Sequence, residues 1–372
     1  MTRRSAGAHV ARAEGMLLRG RSGVAGALLL SLSAFAFACG PSEARKAAVR
    51  GELTKLAHDV ENRVYAREVP RGQSKLPGAF GEAFDGRKVE RAVVVQSADA
   101  ATKCLELTAR TGETQEPAAD PCPELEGSRP ALEALLNLGR SERPGIPPSA
   151  HPFLHTKETA ETQRSFVALC KRAAAEVAAD VQRGRPAVAA LTCTRAVEVA
   201  RDYMLGGSVA DAVFAASCSE VLDAPCGRAV DALPAAERAP LGTALEAVAS
   251  SVPTFADMLD IEIAFVSLGA CSSILGPADR ERLGPRAQAL VASSDVSLFG
   301  RERARAETVC VDGFEAMQLV ASAYRHPAGS PERASVLAKR KQTPLSVLEI
   351  DYEKVDTRIS EMPSRIRALA RR

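Results

Sequence analysis

The chain has 372 residues, of which 46% are hydrophobic and 25% charged. Those are ordinary globular values, which exclude long disorder and fibrous architectures. There is no Trp, aromatics are only 4% and net charge is +2, which argues against stacking platforms for bases or sugars and against a basic nucleic-acid binder.

Residues 23–38 form an apolar run preceded by Arg19 and Arg21 and followed by Cys39. A basic stretch, an apolar core and small residues before a cleavage point make an export signal, here residues 1–38. The run is short for a membrane-spanning helix, which needs about 20 apolar residues. The segment resembles a bacterial lipoprotein signal, and the resemblance implies lipidation of Cys39 with cleavage just before it. Ala36-Phe37-Ala38 lacks the Leu usual three residues before the Cys. It also fits an ordinary secretory site that would leave Cys39 a plain thiol. The lipoprotein reading is favoured. Met16 makes a more usual start than Met1, and Thr2-Arg3-Arg4 lies too far from the apolar run for a twin-arginine signal. The leader holds five Arg and one Glu, so the mature chain carries 43 basic and 45 acidic residues, net −2. No polyanion partner is implied.

Beyond the leader the spacing of apolar residues is mostly helical. Ser42 caps a helix expected to reach about Glu68, with Val49, Leu53, Leu56, Val60 and Val64 on one stripe. Residues 69–87 read as loop. Residues 89–110 fit either a short β-hairpin, from Val93-Val94-Val95 and the alternation at 105–109, or a helix through Ala101, Cys104, Leu105 and Thr108. A loop follows at 111–129, and then a short helix at 130–139. The prolines at 144–152 separate a segment 39–150 from a helical domain 151–372.

In that second segment, Phe166, Cys170, Ala173, Val177 and Val181 share a stripe that Gly184 ends, and Pro186 opens the next helix. Ala190, Cys193, Val197, Ala200 and Met204 continue it. Ser208 and Asp211 form a capping-box pattern, and Asp223-Ala224-Pro225 reads as a turn. Pro253 opens the most apolar helix. Cys310, Phe314, Met317, Ala321 and Tyr324 make a further stripe. Ser330-Pro331 and Thr343-Pro344 each pair a cap with a first-turn proline. The last helix repeats apolar residues from Leu348 to Leu369, with a kink or break expected near Glu361 because of Pro363. Phe166, Phe214, Phe265 and Phe314 recur about every 50 residues, as stacked hairpins would, or by chance among eleven Phe. The fold expected is all-α, built of antiparallel helical hairpins.

Besides Cys39, eight cysteines remain: Cys104, Cys122, Cys170, Cys193, Cys218, Cys226, Cys271 and Cys310. An even number in an exported chain points to disulfides, and no Cys-x-x-Cys suggests zinc. Sequential pairing is expected: hairpin geometry favours 170–193, Cys218 and Cys226 bracket a short turn, Cys104 and Cys122 bracket a loop, and 271–310 is the pair left over.

Catalytic chemistry is thinly represented. His151 and His155 are four apart but sit among prolines. Asp257, Asp260 and Glu262 lie on the apolar helix, where acidic residues suit the N-terminal turn. Arg325 and His326 suit a helix C-terminus, and Lys339-Arg340-Lys341 reads as a solvated helix end. No nucleophile elbow, phosphate loop or dinucleotide fingerprint occurs, so no cofactor, metal or enzymatic activity is expected. The expectation is an envelope lipoprotein held in the membrane by Cys39 and placed in the outer membrane by Gly40. It would offer a helical surface to a protein partner or, as the second reading, bind a small apolar ligand between helices.

Overall fold

A computed structural model describes residues 40–65, 91–110, 157–204, 209–284, 303–340 and 352–372, with isolated positions at 132, 133, 136, 287, 288, 291 and 292. The helices are α1 (Glu43–Tyr65), α2 (Arg91–Arg110), α3 (Lys157–Gln182), α4 (Pro186–Met204), α5 (Val209–Asp231), α6 (Ala235–Ser250), α7 (Phe255–Ala270), α8 (Pro277–Glu281), α9 (Arg303–Tyr324), α10 (Pro331–Arg340) and α11 (Tyr352–Ala370). No strand occurs among the described residues. The all-α expectation therefore holds, and residues 91–110 take the helical alternative rather than the β-hairpin.

α3 lies at the centre. It is buried nearly all round from Phe166 through Ala179, and the one buried charge in that stretch, Arg172, is paired with Glu176 at 2.6 Å. It packs against α2, α4 and α5. Its neighbours come close because alanines line the contact: Ala173, Ala174 and Ala178 on α3, and Ala212, Ala215 and Ala216 on α5, all buried. Gly184 ends α3 at φ 69°, a left-handed turn that only glycine adopts at little cost. The Arg185 amide donates to the Asp180 carbonyl (2.8 Å) and the Gly184 amide to that of Val181 (3.1 Å), which satisfies two otherwise orphaned carbonyls. The α3–α4 hairpin thus forms as expected.

One local expectation fails at a proline: Asp223-Ala224-Pro225 is not a turn, since α5 runs through it to Asp231. Of the kink or break expected near Glu361, there is no break; α11 continues across Pro363 to Ala370. A proline inside a helix removes one backbone bond, but each of these helices buries a long stripe. On α11, Ile359, Met362, Ile366 and Leu369 are buried against α5 and α6, and packing of that kind outweighs local propensity. α11 therefore packs within its own chain. Its approach to α6 requires Gly242, where a Cβ would lie 2.6 Å from the Ala370 carbonyl oxygen.

α1 packs on α7, α8 and α9, with Val49, Leu53 and Val60 in the same core as Phe166 and Phe314. Helices from both sides of the proline-rich stretch share that core. Phe214 is half-buried against it.

Candidate functional site

Among the described residues, three disulfides join cysteines on different helices or at their ends. Cys170 on α3 bonds Cys218 on α5 (Cα–Cα 5.3 Å), Cys193 on α4 bonds Cys226 on α5 (5.6 Å), and Cys271 after α7 bonds Cys310 on α9 (5.0 Å). Of these three, 271–310 matches the sequential scheme. The expected 170–193 and 218–226 bridges are replaced by two others, and both errors have a geometric cause. Cys218 and Cys226 sit on one continuous helix, eight residues and so about 12 Å apart along its axis, beyond the 4.4–6.8 Å a disulfide spans. Cys170 lies 14 residues before Gly184 and Cys193 nine after it. That mismatch places them about 7.5 Å apart along the hairpin. Both instead face α5, which packs on α3 and α4 alike. Cys104 is disulfide-bonded as well; Cys122, its expected partner, lies outside the described residues.

The sequence-derived candidates do not converge. Asp257 caps α7: its carboxylate accepts from the Thr254 amide (3.0 Å), and its own amide donates to Thr254 Oγ1 (3.2 Å). Asp260, 7% exposed, accepts from Arg325 Nη2 at 2.6 Å. Glu262 accepts from the Val209 amide at 3.1 Å and so fixes the start of α5. Asp211 accepts from Gln163 Nε2 (2.9 Å) on α3; Ser208, its expected capping partner, lies outside the described residues. His151, His155, Cys39 and the Thr343-Pro344 cap also lie outside them. Among the described residues, no group of three or more His, Cys, Asp or Glu could hold a metal ion, and no helix is long and apolar enough to cross a membrane.

Three features were not foreseen. The first is an aromatic cluster of Phe255, Tyr324 and Tyr352, with Phe255 and Tyr324 edge to face at 4.9 Å. Such rings attract cations, and the cation here is the chain's own: the Arg333 guanidinium lies 3.9 Å from the Tyr324 centroid and pairs with Glu353 and Asp356, each at 2.8 Å. Arg333 is 3% exposed, so the box is filled and joins α7, α9, α10 and α11. The second is Tyr203, buried on α4 and stacked on Phe166 at 3.9 Å.

Burial pushes both hydroxyls up from the ordinary value near 10. Tyr203 rises well above it, with the Asp211 carboxylate adding to the effect. Tyr324 rises to about 12, with Arg333 opposing. The unfolded chain therefore releases these protons at a lower pH than the folded one. Their contribution to stability is complete below about pH 10 and is lost as pH climbs through the folded values. Urea unfolding at a series of alkaline pH values should show this decline, and Tyr324→Phe should flatten it. An unchanged slope in that variant would contradict the assignment.

The third feature is an open, shallow groove of about 510 Å³ between α6 and the end of α11, lined by Ala239, Gly242, Thr243, Ala247, Ser250 and Ala370. Glu246 at its edge pairs with Arg367 at 3.0 Å. Small side chains leave the α6 backbone near the surface, a shape suited to another chain lying against it rather than to an enclosed small molecule. No sequence signal marks it, because Ala, Gly and Thr in a helix read as ordinary filler.

Comparison with protein-family models, curated proteins and solved structures finds no match to this chain.

Proposed function

We propose that this chain is an exported lipoprotein, anchored through Cys39 in the outer membrane, whose helical body offers the α6–α11 face to another envelope protein. The observation that carries the reading is the conjunction at residues 23–43. An apolar export segment ends at Cys39, and a rigid, disulfide-braced helical body begins at Glu43. Disulfides persist in oxidising compartments such as the periplasm, and the three bridges support export. The open α6–α11 groove favours a protein occupant over an apolar ligand, which would need a cavity that covers most of its surface.

The test is photo-cross-linking in cells from a probe at Ala247, in the wild-type chain and in Cys39→Ser. The wild-type chain should fractionate with membranes and give one discrete heavier adduct. Cys39→Ser should appear in the soluble fraction with that adduct diminished. An apolar small molecule co-purifying with the protein, with no adduct from Ala247, would instead favour the ligand reading.

A further inference from the structure

The spacing between the anchor and the first helix has a mechanical consequence. Ser42 caps α1: its hydroxyl accepts from the Arg45 amide at 3.3 Å and its carbonyl from that of Lys46 at 3.0 Å. Only Gly40 and Pro41 separate this cap from Cys39, and three peptide steps span at most about 10 Å. Nor can α1 swing away from the body, because Val49, Leu53, Ala57 and Val60 are buried along it. Its first turns are also tied to α9. Arg45 pairs with Asp312 at 2.8 Å and with Glu315 at 2.6 Å, and Lys46 pairs with Glu307. Between those partners sits Cys310, bonded to Cys271 at the end of α7. A pull on the N-terminus therefore passes from α1 through ion pairs to α9, and through a covalent bridge to the core.

We propose that this end of the body, the first turns of α1 with residues 307–315 of α9, rests against the lipid bilayer and sets the orientation of the whole protein. The inference builds on the anchoring reading above. The bilayer is the occupant because the chain itself leads there within about 10 Å. Charge plays little part, since Arg45 and Lys46 are already matched by Glu307, Asp312 and Glu315. A patch that docks by attraction to anionic headgroups would leave its cations free. α6 and this end have different principal neighbours: α6 packs on α11 and α4, whereas α1 packs on α7, α8 and α9. The contacts link α6 to α1 in three helix-to-helix steps, through α11 and α7. The groove would then face away from the anchoring membrane, toward a partner.

The absence of Trp makes a clean test available. Single tryptophans replace Ala44 on α1 or Ala247 on α6, both exposed, in the mature lipoprotein in phosphatidylcholine vesicles containing a dansyl-headgroup lipid. Energy transfer from Ala44→Trp should be severalfold stronger than from Ala247→Trp, and should not change with salt or added phosphatidylglycerol. A flexible twelve-residue Gly-Ser insert after Gly40 reaches about 20 Å and should shrink the difference. In acylated, vesicle-bound protein, equal transfer from the two sites, or a difference that depends on anionic lipid, would overturn the orientation alone. Protein that neither carries acyl chains nor floats with vesicles would overturn the anchoring reading and this inference with it. Hydrogen exchange of the wild-type protein gives a second readout, with added protection expected at 42–48 and 307–315 on vesicle binding, and its absence in bound protein counting against the proposal.

Discussion

Replacing Cys170 and Cys218 together by Ala is expected to lower stability by about 4 kcal/mol. The bridge closes a 48-residue separation, and the entropy removed from the unfolded chain by a loop of that length gives this magnitude. The same variant also tests the connectivity. If Cys193 bonds Cys226, as the structure has it, no new thiol appears when both Cys170 and Cys218 are removed. Under sequential pairing, Cys193 and Cys226 would each lose a partner and two thiols would titrate under denaturing conditions. Urea unfolding gives the energy and thiol titration the pairing. Two released thiols would contradict the three-helix arrangement of α3, α4 and α5.

Phe166→Ala should cost about 3–5 kcal/mol, the usual range for deleting a buried ring. Phe166 is fully buried and stacks within 6° of parallel on Tyr203, so the variant leaves a cavity one turn from Cys170. Stacking adds roughly 0.5–1.5 kcal/mol beyond area alone, and Phe166→Leu should recover the larger share of the loss by refilling most of the volume. A cost below about 1 kcal/mol for Phe166→Ala, measured by urea unfolding, would mean that the ring is not part of the core.

The helices were legible because their apolar residues recur at steps of three and four. Val49, Leu53 and Val60, the α4 stripe from Ala190 to Met204, and Ile359 to Leu369 on α11 are buried where that period places them. Prolines misled in proportion to how local the reasoning was. Pro225 resembles a turn only if the buried stripe running through α5 is ignored. The α2 segment was ambiguous because Val93-Val94-Val95 carries β propensity that tertiary packing on α3 overrides. Disulfide partners were illegible for a different reason. Pairing depends on which third helix two cysteines both face, and that is a property of the bundle rather than of either hairpin. The filled aromatic box and the α6–α11 groove were equally hidden, since Arg333 meets Tyr324 only once α9 and α10 fold back on each other and Gly242 matters only when α11 lies against α6.

Everything proposed about location, orientation and exposed face passes through one atom, the sulfur of Cys39. Mass spectrometry of the N-terminal peptide from the membrane fraction therefore tests the account most directly. The expected result is a mature chain that begins at Cys39 with a thioether-linked diacylglycerol. A soluble mature chain in which Cys39 is unmodified, or absent after cleavage elsewhere, would contradict it.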